Sequence, residues 1–439
     1  MIKQIIFTLT LLLSVIIFSY TGRRVIHLFR LTKPAFPVRN FGKRFAVTLN
    51  VAFGQSKIFR RPVIGFLHAI VFWGFCVILF GSIEMIIDGI FNNDRSLKFL
   101  GYFYDLVIAS GDIFSLLVSI SIVVFLIRRI FLHIKRFEGI EMKRISHLDA
   151  NFALILILLL MISLTLMNAS YFRMQIISGM PMVGIYPGGM VIAKIMRSYS
   201  YGALTIIFET SWWMHILLIF IFANILPYSK HFHVFMSIPN VFLTRLDPLG
   251  KLPAMDHVIK EVKLMLDPNN TGAMPSQDHN FMRFGVKDCE DVTWKNYLDS
   301  LACTQCGRCT AVCPANLTGK RLSPRKIIMD VRARMKEKGP GLVRNGNEFD
   351  DHKSLIRDYI SEEELWACTT CQACAQECPI NINHPTLIVD MRRYLVMEEG
   401  SAPGGLKASF SNIENNGAPW QFSQEDRMSW TKDLKYHSN

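Results

Sequence analysis

The chain has 439 residues, a net charge of +13 from 48 lysines and arginines against 35 aspartates and glutamates, and a hydrophobic share of 51%. Together with a mean hydropathy of +0.27, this composition excludes both a wholly soluble protein and a disordered one. Nine of the ten cysteines lie beyond residue 285 while apolar residues crowd the first half, so we predict a membrane half joined to a cysteine-rich half.

Five segments carry at most one charge each and approach the roughly 20 residues that about 30 Å of hydrocarbon requires. They are Ile5–Gly22, Val63–Ile87, Leu106–Ile127, Phe152–Phe172 and Thr210–Ser229. Residues 23–61 hold ten basic side chains and no acid, and residues 128–144 hold six against two acids. The positive-inside rule predicts that both loops lie on the cytoplasmic side of a bacterial inner membrane. Five spans then predict an N-terminus outside and a cytoplasmic second half, with lipid headgroups and not nucleic acid as partners of the basic charge.

Two apolar segments flank these spans. Phe41, Phe45, Leu49 and Phe53 recur at roughly helical spacing among basic residues, which predicts an interfacial helix on the inner leaflet. The loop from Arg173 to Tyr201 is apolar and glycine-rich, and it either rests on the outer membrane surface or forms a lid over a lipid-soluble substrate.

Histidines inside a membrane indicate function because an ionisable side chain is costly there. Counting about 1.5 Å per residue, His68 lies near the inner boundary of the second span and His215 near the outer boundary of the fifth. On an uninterrupted helix His233 follows His215 by about five turns and shares its face. Two neutral imidazoles from facing helices can hold haem b axially, so we expect His68 and His233 to bind one haem. Two roles stay open for His215: it is either a ligand of a second haem or a histidine of the helix-bundle core.

These histidines and the run Pro227-Tyr-Ser-Lys-His-Phe-His233 resemble the haem b subunit of respiratory nitrate reductase. They are equally similar to the membrane subunits of heterodisulfide reductase and of sulfite-reduction complexes. The resemblance covers roughly residues 1–245 and implies a five-helix cytochrome b bundle. Members with two haems carry another histidine further along the second span, where this chain has Ile78.

Three carboxylates, Glu84, Asp112 and Glu209, fall in the outer third of three different spans. Two interpretations stay open at this point. They could relay protons for a quinol, or they could be interfacial side chains that reach to the headgroups.

Two copies of one cysteine motif give the most specific signal in the chain. Cys303, Cys306, Cys309 and Cys313-Pro314 are followed by Cys368, Cys371, Cys374 and Cys378-Pro379 in the same spacing. Three cysteines of such a motif bind one 4Fe-4S cluster and the fourth binds the other. We therefore expect one cluster on Cys303, Cys306, Cys309 and Cys378, and a second on Cys368, Cys371, Cys374 and Cys313. Zinc would not need the third cysteine or the proline, and disulfides are disfavoured in the cytoplasm.

Between the two motifs lie a helical segment at Pro324–Lys338 and a second segment at His352–Trp366, and another helical segment, Pro385–Glu399, follows the second motif. The region resembles the α-helical ferredoxin of heterodisulfide reductase subunits, of the anaerobic glycerol-3-phosphate dehydrogenase small subunit and of the succinate dehydrogenase iron-sulfur subunit. We predict an all-α fold: a membrane haem b domain over 1–245, a linker over 246–284, a dicluster ferredoxin over 285–400 and a polar tail over 401–439.

The resemblance implies a membrane electron-transfer subunit that links menaquinone, haem b and two 4Fe-4S clusters. Relatives that reduce a disulfide carry CCG-type cysteine motifs after the ferredoxin, and residues 401–439 have none. The expected partner is therefore a cytoplasmic redox subunit with CCG motifs or flavin. The alternative is a membrane anchor without haem that only tethers the iron-sulfur domain.

Overall fold

A computed structural model describes residues 2–267, 283–346 and 349–434. Within these ranges the chain is helical, and its β pairing is limited to the isolated bridges Lys33–Thr293 and Ile356–Ile360. This confirms the all-α prediction. The predicted linker at 246–284 and tail at 401–439 lie partly outside the described residues, and the domain boundaries stay predictions.

Five helices are long and apolar enough to cross a membrane, as predicted. The first-half helices are α1 (Ile2–Arg30), α2 (Phe41–Thr48), α3 (Pro62–Phe91), α4 (Tyr102–Ile130), α5 (Arg144–Ser178), α6 (Pro187–Ala193), α7 (Tyr201–Ile225) and α8 (His233–Phe242). Each predicted span lies within the long helix at its position, apart from the last four residues of the fifth. Large apolar side chains such as Ile16 and Leu106 are 64% and 66% exposed, as expected for surfaces that face lipid.

The five long helices form an antiparallel bundle in which α5 packs against both α4 and α7, and α3 packs against α4. The segment after α1 pairs with the second half of the chain through the Lys33–Thr293 bridge. Arg308 donates to the carbonyl oxygen of Lys57, just before α3, and Arg332 donates to that of Ser229, just after α7. The cysteine-rich half therefore packs against one end of the bundle, which we call the ferredoxin end.

The second half is built from short helices around two longer ones. They are α9 (Asp256–Leu266), α10 (Trp294–Ala302), α11 (Arg308–Ala311), α12 (Pro314–Leu317), α13 (Pro324–Asn345), α14 (Glu362–Trp366), α15 (Ala373–Glu377), α16 (His384–Met397) and α17 (Gly404–Asn416). Ser323 caps α13 by accepting from the Lys326 backbone N–H, and Pro324 fits its first turn. The apolar positions predicted for the core on α13 and α16 are at most 1% exposed: Ile327, Ile328, Val331, Met335, Leu387, Ile388, Met391 and Leu395.

Two local features depart from the sequence pattern. The segment His352–Trp366 is not one helix, because Arg357 has a φ of 78° and Ile356 is extended, so that α14 begins only at Glu362. The fifth membrane helix is also interrupted: α7 ends at Ile225, Ser229 is extended, and α8 begins at His233. The expectation that His215 and His233 share the face of one continuous helix is therefore wrong, because Pro227 and Ser229 break the register.

Candidate redox centres

Both cysteine motifs fold into loops with the same backbone pattern. In the first loop Gln305 and Gly307 have φ values of 58° and 73°, and in the second Thr370 and Gln372 have 54° and 64°. These positions are two and four residues after Cys303 and Cys368, respectively. Left-handed residues reverse the chain over a few positions, so that three cysteines at this spacing can point to one centre. The Thr370 backbone N–H donates to the Cys368 sulfur at 3.4 Å, the kind of contact that stabilises a thiolate in a cluster site.

The second loop receives its fourth cysteine from the first motif. Cys313 lines one cavity with Cys368, Cys371 and Cys374, and the empty volume is about 310 Å³. Pro314 and Pro385 complete its wall. The structure thus brings together the four residues expected to share a cluster.

The first loop receives Cys378 from the second motif. Cys378 lies at the end of α15 and interacts electrostatically with Cys303, Cys306 and Cys309. Below, the first set means Cys303, Cys306, Cys309 and Cys378, and the second set means Cys313, Cys368, Cys371 and Cys374.

The donor chemistry of both sets fits iron-sulfur clusters. Burial raises the pKa of Cys303 to about 11 and that of Cys378 to about 12, so buried thiolates at these positions need a cationic partner. None of the ten cysteines, all of which lie in the described residues, forms a disulfide. Four sulfurs converging from two loops are the ligand set of a 4Fe-4S cluster.

The two sets differ in their surroundings. Each set contains two buried cysteines, and in the first set the Lys57 ammonium donates to the Cys378 carbonyl oxygen at 3.3 Å. Gly307 cannot carry a side chain, because it has positive φ and a Cβ there would collide with the Arg136 carbonyl oxygen. In the second set Cys371 is exposed. The first set therefore lies against the bundle, whereas the second reaches the protein surface.

His68 and His233 lie close to each other at the ferredoxin end of the bundle. Their rings are near enough to interact electrostatically, and His68 interacts in the same way with Arg308, which precedes Cys309. The Nδ1 of His68 donates to Gln55 Oε1 at 3.2 Å, and the Nδ1 of His233 donates to the Lys230 carbonyl oxygen at 3.4 Å. Both acceptors hold the proton on Nδ1, which leaves each Nε2 with a free lone pair.

His233 has a neutral ring at physiological pH. Burial lowers its pKa to about 4, although its bond to the Lys230 carbonyl oxygen acts in the opposite direction. A neutral imidazole with the proton on Nδ1 is the form that ligates haem iron. The neighbouring His231 is 5.7 Å from His233 between ring centroids, and burial lowers its pKa as well.

His215 lies apart from this pair. It is 1% exposed on α7, and its Nδ1 is 3.0 Å from both the Leu160 carbonyl oxygen and the Ser163 hydroxyl. It lines a second cavity toward the opposite end of the bundle, with an empty volume of about 720 Å³. The structure therefore does not bring His215 together with His68 and His233.

Gln55 has a part in the site that sequence reasoning missed. Its φ is 53° and it is 5% exposed, and it fixes the Nδ1 proton of His68 from a turn before α3. The local sequence Gly54-Gln55-Ser56 does not indicate that the glutamine side chain bonds to a histidine 13 residues later. Only the packing of that turn against α3 reveals the bond.

Comparisons with known proteins agree with this geometry. Residues 302–382 match the family described as a 4Fe-4S dicluster domain. The chain is 31% identical over 427 residues to a probable iron-sulfur-binding oxidoreductase, FadF, of Bacillus subtilis, covering 89% of this chain and 56% of that protein. It is 28% identical over 410 residues to an EtfAB:quinone oxidoreductase of Syntrophomonas wolfei, covering 86% of this chain and 52% of that protein.

A shorter match concerns the cysteine-rich half. Over 102 residues the chain is 34% identical to one of the subunits of the ferredoxin/F(420)H(2)-dependent CoB-CoM heterodisulfide reductase of Methanosarcina acetivorans, covering 23% of this chain and 49% of that relative. The chain spans about half the length of these relatives. No solved structure matches it. The chain therefore contains a dicluster 4Fe-4S ferredoxin domain beside a helical membrane domain, and is related to iron-sulfur oxidoreductases that transfer electrons.

Proposed function

We propose that this protein is the membrane electron-transfer subunit of a respiratory oxidoreductase. It passes electrons between menaquinone, a haem b bound by His68 and His233, and two 4Fe-4S clusters that serve a cytoplasmic partner. The main support is the series of candidate sites that leads from the histidine pair, through the first cysteine set, to the exposed Cys371 of the second set.

The arrangement of the two cysteine sets supports this order. Arg308 connects the first set to the bundle. It precedes Cys309, interacts electrostatically with His68 and donates to the Lys57 carbonyl oxygen at 2.9 Å. A first cluster beside the bundle would exchange electrons with the membrane site. A second cluster at Cys371 would exchange them with a docked protein.

The histidine pair fits haem b because both rings offer Nε2 from separate helices, α3 and α8. When bound, haem b would supply a one-electron carrier between the hydrocarbon region and the clusters. Gln55 and the Lys230 carbonyl would orient the two rings by holding their Nδ1 protons.

The partner and the orientation belong to the same proposal. One relative is named a quinone oxidoreductase and another belongs to a heterodisulfide reductase, which supports a quinone and a separate redox subunit. We expect that subunit to carry CCG motifs or flavin. The basic loops flank the ferredoxin end. The ferredoxin domain would therefore lie on the cytoplasmic side of the inner membrane, and the N-terminus on the outer side.

Redox-difference spectra of the purified full-length chain test the haem assignment. We expect a b-type absorption band in the wild type, loss of that band in His68→Ala and in His233→Ala, and an unchanged band in His147→Ala. His147 is a suitable control because it lies at the ferredoxin end, on α5, outside the proposed site.

Electron paramagnetic resonance of the same samples separates the two halves of the proposal. Iron-sulfur signals without any b-type band in the wild type would establish the haem-free anchor instead. A full b-type band in both His68→Ala and His233→Ala would reject this ligand pair.

A further inference from the structure

The cavity beside His215 lies between α3, α4, α5 and α7, toward the end of the bundle away from the ferredoxin domain. We call it the distal cavity. Apolar side chains such as Val77, Ile108, Phe208 and Trp212 line it, and polar or charged side chains, Glu84 and His215 among them, complete the wall. A ligand that joins an apolar ring to polar oxygens at its edge fits such a mixed lining.

His215 presents a hydrogen-bond acceptor at this cavity. Its Nδ1 is 3.0 Å from the Leu160 carbonyl oxygen, which can only accept, so Nδ1 carries the proton. Nε2 of the neutral ring is then the free acceptor. A haem held by two histidines would need a second one here, and among the described residues no other histidine lines the cavity.

Glu84 provides a second polar group on the cavity wall. It is 5% exposed, and it accepts from the Tyr104 hydroxyl and from the Leu97 backbone N–H, both at 3.0 Å. Arg95 donates to the hydroxyl groups of Tyr104 and Tyr186. This chain of bonds joins Glu84 to the loop that closes the distal end.

The other two carboxylates of the outer third have different roles. Asp112 accepts from the Gly188 and Gly189 backbone N–H groups at 2.6 and 3.0 Å and from Asn168 Nδ2 at 2.9 Å, so it anchors α6. Glu209 pairs with Lys3 on the surface, where both side chains are 43% exposed. Asp112 and Glu84 both line the cavity, but of the three carboxylates Glu84 is the one bonded to the Leu97 backbone in the loop that closes the distal end.

We propose that the distal cavity binds the ring of a quinone, with His215 and Glu84 as its proton-exchanging groups. This rests on the proposed function, and deepens it by locating the quinone. Oxidation of a hydroquinone to the quinone releases two electrons and two protons. The two electrons would leave one at a time toward the haem b site of the proposed function, and the two protons would go to His215 Nε2 and to the Glu84 carboxylate. Reduction of the quinone reverses both transfers.

The exposed loop gives the protons a route to solvent. Asp94 and Arg95 line the cavity, and Asp94 is itself exposed. Protons taken up by Glu84 would therefore be exchanged at the distal end. The electrons would be exchanged at the ferredoxin end.

Equilibrium binding of a hydroxyquinoline N-oxide, a quinone analogue whose fluorescence is quenched when bound, tests the site without electron transfer. We expect His215→Leu in the full-length chain to weaken binding by about tenfold or more, because its acceptor is lost. Haem and iron-sulfur contents should remain at wild-type levels. Glu209→Gln is the matched control, since it changes a carboxylate on the same helix outside the cavity, and should bind normally.

A second variant fills the cavity. A Cβ on Gly81, which lines the cavity, meets nothing within 4 Å, so Gly81→Leu should fold normally and block the ring. Gly22→Leu on α1, where a Cβ is also unobstructed, is its control. Wild-type affinity in both His215→Leu and Gly81→Leu would overturn the proposal, as would loss of haem in His215→Leu. Binding that depends on Gly81 in a protein without any b-type band would retain the site and reject the haem.

Discussion

At the scale of residues, each proposed cluster site takes its fourth cysteine from the other motif. Cys313 and Cys378 each precede a proline, and each lies with the three cysteines of the opposite motif. The two motifs therefore depend on each other, because either loop alone offers only three thiolates to a cluster.

Alanine substitutions test this exchange of ligands. We expect Cys378→Ala and Cys303→Ala to diminish the same iron-sulfur signal, and Cys313→Ala to diminish the other one, because each removes one of four ligands. Electron paramagnetic resonance and iron content of the purified chain would measure this, with the exposed Cys76→Ala as control. Loss of one common signal in Cys378→Ala and Cys368→Ala would mean that each motif binds its own cluster.

At the scale of elements, a buried ion pair joins the membrane bundle to the ferredoxin domain. Arg325 on α13 lies 2.7 Å from Glu141 in the loop between α4 and α5, and the two side chains are 1% and 4% exposed. The same guanidinium donates to the carbonyl oxygens of Arg136 and Glu138 at 2.8 and 2.6 Å. This arginine therefore holds the loop against the first cysteine set.

Glu141→Ala should loosen this junction strongly. It leaves the Arg325 charge buried without its partner, at a cost of about 3–5 kcal/mol in the free energy of unfolding. We expect a lower melting temperature of the full-length chain and faster proteolysis at residues 135–141. Lys251→Ala, which removes a surface ion pair with Asp247, should change stability by less than about 1 kcal/mol. Equal effects of the two substitutions would contradict the anchoring role.

At the scale of the whole molecule, five helices are long and apolar enough to carry the two ends of the bundle to opposite sides of a membrane. Lys3 pairs with Glu209 at the distal end, whereas Lys33 pairs with Asp291 of the ferredoxin half at 2.8 Å. The N-terminus and the ferredoxin domain are thus separated by the length of α1. Electrons passing from the distal cavity to the ferredoxin domain would therefore cross most of the thickness of the membrane.

A protease-protection experiment tests the orientation in cells. An epitope tag before Ile2 should be cleaved by protease added to spheroplasts, and the ferredoxin domain should be cleaved only after the membrane is permeabilised. The physical reason is the excess of basic residues at the ferredoxin end. A protected N-terminal tag together with an accessible ferredoxin domain would reverse the assignment.

Much of this organisation follows from local sequence pattern alone. Runs of apolar residues determine the five membrane helices, because hydrocarbon requires about 20 residues of them. The repeated cysteine spacing likewise predicts a dicluster domain, since three ligands of each cluster lie within one short motif. The buried positions of α13 and α16 also follow from local pattern, because the helical period of the apolar residues indicates which face is buried.

Only the tertiary structure decided what depends on partners far apart in the chain. The break between α7 and α8 removes the common face that an uninterrupted helix would give His215 and His233. The bond from His68 to Gln55 likewise arises from packing. So do the different bonding partners of Glu84, Asp112 and Glu209, which give the three carboxylates different roles. Sequence patterns report distances along one helix, whereas these contacts depend on how different helices approach one another.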